Sequence, residues 1–444
     1  MGTLPGPGRP ADYCGQITMA RILIIKPLLP YPPDQGTKVV TFNLLKLLSR
    51  HFEVSLLCGL ASKEDASKAE GLKPFCKEVF TFLLPNKKSR LHSFYYKGKY
   101  SLQSSLTGFP LETFYCASPL LRRTVAEVTR SSKYEMAQFE YWFTADAARL
   151  AEVPCKVLLE HDIDFLRHER RLASTAGFWP RRSAKRTIAS VRAREVRAYS
   201  EFDMVFALSR SDGTLVERLA GIRGICRYLP VVIDCEKYSP SAEEKIPASI
   251  VFLGALDADF NIDAILFFCR EIFPLVLNGV PEARLFIVGR RPPAAVQKLA
   301  DGERVILSAN VEDITSHVRR CMVQVVPLRF GGGVRVRTLE GMAMGMAIVS
   351  SSVGMDGILA RPGRDLLRAD SPREFAGRVC EILRNPYLAA KLGERARHFV
   401  VTHHSEEVLE RNVLNTYAEA LRQAELRRKM QAERESQHPG QAGK

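Results

Sequence analysis

No C-x-x-C pair occurs among the ten cysteines, which are scattered from Cys14 to Cys380. That scatter argues against a zinc site or a disulfide framework and fits a reducing cytosol. No apolar run approaches the ~18–20 residues that a membrane-spanning helix requires. The first eighteen residues are rich in Gly and Pro and lack the apolar core of a signal peptide. They read as a disordered leader, with Met19 a candidate start. Acidic residues are in deficit: 49 Asp and Glu face 64 Lys and Arg, a formal net charge of +15. Such a surface attracts anions, whether nucleic acid, anionic lipid or phosphorylated small molecules. No recognised nucleic-acid module accompanies the charge, so nucleic acid is not expected as a partner. The two standard glycine fingerprints for phosphate are also missing, since no G-x-G-x-x-G opens a helix and no G-K-[ST] occurs.

What is present is length and rhythm. The 444 residues exceed the ~250–300 that one core usually supports, which predicts two domains. Strand patterns at 20–26, 54–57, 78–83, 135–139, 156–160 and 204–208 alternate with helical ones. A polar, proline-bounded linker at 239–247 follows, and the alternation restarts with strands at 249–253, 284–288, 305–307, 322–326, 347–350 and 365–368. This predicts an α/β fold of two Rossmann-like, doubly wound parallel-sheet domains, over 19–238 and 248–404, facing a cleft. A C-terminal helix over 405–426 and a charged, frayed tail over 427–444 complete the expected organisation. Ligands in such sheets bind at the carboxyl ends of strands, which brings the loop holding Gln35 and Gly36 to the cleft. Two stretches break the rhythm. Residues 86–111 interleave Lys87, Lys88, Lys97 and Lys99 with Phe94, Tyr95 and Tyr96, and residues 167–197 are long and strongly basic. Each reads either as ordinary solvated surface or as a face for an anionic membrane.

The chemistry concentrates in Pro327-Leu-Arg-Phe-Gly331-Gly332-Gly333-Val334-Arg335-Val-Arg337-Thr-Leu-Glu340. An apolar run at 322–326 predicts a buried strand, and Val336, Leu339 and Met342 predict a helix. A glycine loop between strand and helix start suits phosphate, because the backbone approaches closely and the helix dipole favours an anion. Arg335 and Arg337 add permanent cations with forked donors. Glu340 falls roughly 7–8 Å further along the helix at 1.5 Å per residue, where it suits ribose hydroxyls better than phosphate. The bland alternative is a simple turn with solvated arginines.

Taken in order, these blocks resemble a retaining glycosyltransferase of the GT-B fold, family four in the usual classification. The matching stretches are Ile22-Leu-Ile-Ile-Lys-Pro with Pro32-Pro-Asp-Gln-Gly36, Phe206-Ala-Leu-Ser209, Leu229-Pro-Val-Val-Ile-Asp234, Phe252-Leu-Gly254, Leu285-Phe-Ile-Val-Gly289 and 311–357. They span most of the chain, from 20 to 417. The resemblance implies that Gly254, the loop Gly331-Gly332-Gly333-Val334, Arg335 and Arg337 hold the diphosphate of a UDP- or GDP-sugar. Glu340 matches the second glutamate of the family's E-x7-E pattern, the one that binds ribose. The first glutamate of that pattern is replaced by Gly332, as in a subgroup with G-G-G-x-R-x-K in this loop. His161 matches the family histidine beside the transferred sugar, and with Arg335 and Glu340 it forms the expected catalytic set. Gln35, Gly36 and Glu140 are candidates for the acceptor side, Glu140 read as an acid in a loop after its strand.

A saccharide or lipid-linked acceptor is implied, with synthesis of surface polysaccharide or glycan as the setting and the inner face of a membrane as the place. Neither a metal nor a cofactor is expected. Two alternatives stay open: a nucleotide-sugar epimerase of the same build, and a non-catalytic scaffold that binds nucleotide-sugar.

Overall fold

A computed structural model describes residues 20–84, 90–173 and 178–437 of the chain. The first domain is built on a seven-stranded sheet in the order β3-β2-β1-β4-β5-β6-β7, every recorded pairing parallel. Its strands are β1 (Arg21–Lys26), β2 (Glu53–Leu60), β3 (Val79–Leu83), β4 (Met136–Glu140), β5 (Cys155–Glu160), β6 (Met204–Ala207) and β7 (Cys226–Tyr228). Helices cover both faces, so central strands are continuous apolar runs rather than alternating ones. In β1 everything from Ile22 to Lys26 is buried. The second domain has a six-stranded parallel sheet ordered β10-β9-β8-β11-β12-β13. Its strands are β8 (Ser249–Leu253), β9 (Arg284–Gly289), β10 (Val305–Ala309), β11 (Val323–Val326), β12 (Ala347–Ser350) and β13 (Leu367–Arg368).

Strand order places the crevices. Each chain half winds outward from its first strand, then crosses over and winds the other way. The reversal falls between β1 and β4 in one sheet and between β8 and β11 in the other. At such a point successive loops diverge and open a crevice beyond the carboxyl ends of the strands. Lys26 and Glu140 end the two strands flanking the first reversal. Gly254 and Pro327 follow the two strands flanking the second.

The helices used below are α1 (Gly36–Leu48), α2 (Arg90–Thr107), α3 (Asp164–Ala173), α4 (Phe178–Tyr199), α5 (Val336–Ala343), α6 (Pro386–His404) and α7 (Glu406–Gln437). The chain passes into the second domain beyond Leu229 and returns at Ser405. There the Ile233 N–H donates to the His404 carbonyl at 2.8 Å. α7 then lies on the first domain, where Tyr417 Oη donates to Gln138 and Arg227 pairs with Glu419 at 2.6 Å. One apolar cluster runs from Ile22 and Ile24 through Val231 into the second domain at Ile250, and another fills the opposite face of the first sheet around Leu23 and Ile25.

α7 corrects the expectation of a frayed tail from 427. The helix continues to Gln437, and Arg427 is anchored to Asp203 at 2.8 Å. The expected leader, 1–18, lies outside the described residues, as do Lys87 and Lys88. Among the described residues no helix is long and apolar enough to cross a membrane.

Candidate functional site

On the first-domain side the site is a buried polar cluster at the sheet's reversal. Pairing of β1 with β4, and of β4 with β5, brings their terminal side chains together. Lys26 and Glu140 form an ion pair with almost no exposure on either partner. Glu140 also accepts from Thr41 Oγ1 of α1 at 2.8 and 2.9 Å, and its Oε2 lies 2.9 Å from His161 Nε2. Burial pushes the Glu140 carboxyl up, but Lys26 and His161 outweigh it and leave it lowered to about 2. An ionised carboxylate only accepts, which assigns the imidazole proton to Nε2. Burial and the Lys26 charge hold His161 below the usual imidazole range despite Glu140, so it is neutral at pH 7. Its Nδ1 is then a bare acceptor, buried and without a hydrogen-bond partner. Tyr141 packs against the ring at 4.7 Å between centroids, the planes tilted by 31°, from a backbone φ of 72° that non-glycine residues rarely adopt.

On the second-domain side stands the glycine loop. Gly331 has φ of 140°, and a Cβ there would lie 2.3 Å from Arg335 Nη2. Gly333 has φ of 69°, and its Cβ would lie 2.4 Å from the His161 carbonyl oxygen. Side chains are therefore excluded because the loop holds its own arginine on one side and touches the first domain on the other. Arg335 is the residue before α5 and is 9% exposed. Its guanidinium lies over the Phe260 ring at 5.2 Å, and its Nε and Nη2 have no hydrogen-bond partner. Burial lowers it to about 10, so it remains charged at pH 7 with Asp162 and Asp356 as the nearby acids. A buried cation with unfilled donors is costly, and an anion would remove that cost.

The domains meet across this loop. Arg170 of α3 donates to the Gly331 carbonyl at 2.8 Å and pairs with Asp356 at 2.5 Å. Arg290 bridges Asp34 in the first domain and Asp257 in the second, both at 2.9 Å. Gly36, the first residue of α1, approaches Val336, the first of α5; a Cβ on it would be 3.4 Å from the valine side chain. Gln35 caps α1 by position only, without a side-chain hydrogen bond.

Several expectations change. Glu140 is not a solvated loop acid but the last residue of β4, fully buried, its carboxylate committed to Lys26, Thr41 and His161. Arg335 and Arg337 do not point together: Arg337 Nη1 pairs with Glu340 Oε2 at 2.5 Å, one turn along α5. Glu340 is fully buried, and its Oε1 has no hydrogen-bond partner; Tyr238 of the interdomain connection faces the same pair. Val334 borders Gly357, which itself abuts the first domain: a Cβ on Gly357 would meet Val334 at 2.8 Å and Ser209 at 3.1 Å. Gly254 lies at the end of β8, with its carbonyl oxygen 2.0 Å from where a Gly289 Cβ would stand. The basic stretch beginning at Arg167 is not simply solvated, because Arg170 reaches the loop. Lys26, Thr41, Tyr141, Asp162, Arg170 and Tyr238 escaped the sequence reading. Only Lys26, a charge closing a β-branched apolar run, carried a local signal.

A cavity of about 250 Å³ lies elsewhere in the second domain, lined by Phe267, Leu328, Arg329, Ser351 and Phe375 among others. It takes in Pro327, Leu328 and Arg329 just before the glycine loop, but not the loop itself, Arg335, Glu340 or His161.

Comparison with known proteins agrees with this fold. Residues 247–385 match the model of the family described as glycosyl transferases group 1. An uncharacterised 44.6 kDa protein in the cps region of Klebsiella pneumoniae is 20% identical over 381 residues, covering 83% of this chain and 92% of that protein. Alr3699/HepE of Anabaena, solved with UDP, superposes with a TM-score of 0.62 at 13% identity over 90% of this chain and all of that one (100%). Sucrose-phosphate synthase of Thermosynechococcus elongatus gives 0.66 at 17% identity, over 90% of this chain and 98% of that one. The fold is thus the two-domain GT-B architecture that the resemblance implied.

Proposed function

We propose that this chain, a GT-B protein whose second domain matches the group 1 glycosyl transferases, is a retaining glycosyltransferase that moves a hexose-type sugar from a UDP- or GDP-sugar to a saccharide or lipid-linked acceptor. The observation that carries the reading is Arg335. Its Nε and Nη2 are buried and unfilled at the start of a helix, beside a glycine loop that meets the His161 backbone at Gly333. The solved relative with UDP supports a nucleotide donor.

In this reading the diphosphate lies on the loop, with Arg335 and the helix dipole offsetting its charge. Glu340 Oε1 accepts from the ribose. Arg337 keeps that carboxylate ionised and oriented rather than touching phosphate. The sugar reaches toward His161, whose Nδ1 accepts one of its hydroxyls, while Lys26, Glu140 and Thr41 fix the imidazole's tautomer and plane. As the glycosidic bond breaks, its electron pair goes to the departing diphosphate oxygen, where preorganised donors are worth several kcal/mol. The acceptor hydroxyl attacks from the face the diphosphate leaves and passes its proton to that oxygen. Interdomain contacts at Arg170 and Arg290 close the gap against water, which would otherwise hydrolyse the donor. No metal is required for this charge balance.

The relative from a cps region supports polysaccharide synthesis as the setting. The exposed face of α2, with Phe94, Tyr95, Leu102 and Leu106 beside Lys97 and Lys99, supports an anionic membrane as the place. The test is turnover of labelled UDP- and GDP-sugars by the purified chain with chelator present. Transfer to an acceptor is expected. Free epimerised nucleotide-sugar, or binding without turnover under every acceptor condition, would replace this reading with the epimerase or the scaffold.

A further inference from the structure

The glycine loop touches the first domain at a residue without a role so far, Asp162. It follows His161 beyond the end of β5, and its side chain is 24% exposed. A Cβ at Gly332 would lie 2.8 Å from Asp162 Oδ2 and 3.0 Å from the Asp162 Cβ. A Cβ at Gly333 would also lie 3.0 Å from that Cβ. The aspartate therefore rests on the loop where a side chain of residue 332 would begin. Arg167 Nε stands 3.9 Å from Oδ2, beyond hydrogen-bond reach. Arg335 and His161 both feel the Asp162 charge. Along this part of the gap the protein thus offers a cation without filled donors, then a partly open carboxylate, then the bare acceptor Nδ1 of His161. A sugar diphosphate presents the complementary order: an anion, then hydroxyl donors. A carboxylate has lone pairs for two adjacent hydroxyls, and such charge-assisted bonds are the strong ones.

We infer that Asp162 determines specificity for the transferred sugar: its carboxylate, reaching the loop from the first domain, accepts the sugar's hydroxyls, and Gly332 is the opening that admits it. This rests on the donor reading given above. Position 332 lacks the acid that the family pattern puts there, and the facing wall supplies one instead. Because Asp162 and Arg335 belong to different domains, the sugar, unlike the nucleotide, is gripped only when the two domains meet.

The experiment compares wild type with the near-isosteric Asp162→Asn by calorimetry, using UDP, GDP and the corresponding nucleotide-sugars. The expected result is a nucleoside diphosphate affinity within about twofold of wild type and a nucleotide-sugar affinity about 10- to 100-fold weaker, the range for one charged hydrogen bond. Equal weakening of both ligands, or of neither, overturns the role of Asp162 while leaving the donor site intact. A wild type that binds no nucleoside diphosphate overturns the donor reading itself. Should Asp162→Asn fail to fold, a crystal structure of wild type with a nucleotide-sugar decides. A sugar hydroxyl within about 3.2 Å of the Asp162 carboxylate supports the inference, and a gap well beyond hydrogen-bond reach overturns it.

Discussion

Arg170, on a helix of the first domain, donates its Nη1 to the carbonyl of Gly331 in the second domain at 2.8 Å. The same nitrogen pairs with Asp356, so one side chain ties the glycine loop and the turn after β12 to the opposite wall. The loop's position is thus fixed against the first domain. Arg170→Ala is expected to lower kcat severalfold while nucleoside diphosphate affinity changes little, because a half-exposed pair of this kind contributes only about 0.2–1 kcal/mol to stability. Steady-state kinetics beside calorimetry check this. Loss of nucleotide binding with unchanged kcat would place Arg170 in the donor site instead.

The Lys26–Glu140 pair makes a prediction about stability. Both groups are buried, so Lys26→Met leaves an unpaired charge inside the domain, which costs about 3–5 kcal/mol. Lys26→Met with Glu140→Leu removes both charges and should recover most of that loss in urea denaturation. Sign matters for pH as well. The Glu140 carboxyl is held at about 2, below its unfolded value, so its contribution is present above the usual carboxylate range and fades as pH falls toward 2.

Glu160 behaves in the opposite sense. Both its carboxyl oxygens are buried without hydrogen-bond partners, and Glu195 of α4 shares its surroundings while accepting from the Asp164 and Phe165 N–H groups at 2.7 and 3.0 Å. Burial, then the charges of Glu195, Asp162, Asp164 and Asp212, raise Glu160 well above the ordinary range. A raised folded value means the native state holds the proton longer than the unfolded chain. Stability therefore falls as pH rises from the usual carboxylate range toward the folded value. Glu160→Gln should flatten that slope in thermal melts taken across pH, and an unchanged slope would assign it to other groups.

Membrane attachment has its own test. Phe94 is 81% exposed on α2, with Leu102 and Leu106 also outward and Lys97 and Lys99 alongside. Vesicles containing anionic lipid should co-sediment the protein, less so as salt rises, and Phe94→Ser with Leu102→Ser should weaken binding severalfold. Equal binding to neutral vesicles, or none to anionic ones, would contradict it.

Most of the fold was legible because a parallel sheet covered on both faces writes its strands as continuous apolar runs such as Ile22 to Ile25. The glycine loop was legible as a turn between a buried strand and a helix start, and the structure has that arrangement between β11 and α5. What could not be read was pairing between distant residues. Lys26, Glu140 and His161 meet only because strand order puts β1, β4 and β5 side by side, and no local pattern encodes that order. The pairing of Arg337 with Glu340 went unread for a related reason. Spacing places Glu340 on the same face of α5, yet the choice between a neighbouring carboxylate and a ligand is made by burial. Arg170 was hidden inside a basic stretch whose composition suits solvent equally well.

The central claim is that a sugar-bearing diphosphate rests on the loop before Arg335. Calorimetric titration of UDP and GDP into wild type and Arg335→Ala, with chelator present, measures it most directly. The account predicts metal-free binding of one of these nucleotides and an affinity about 10- to 100-fold weaker in the variant, as loss of one charge-assisted hydrogen bond implies. Equal affinities in the two proteins would contradict it.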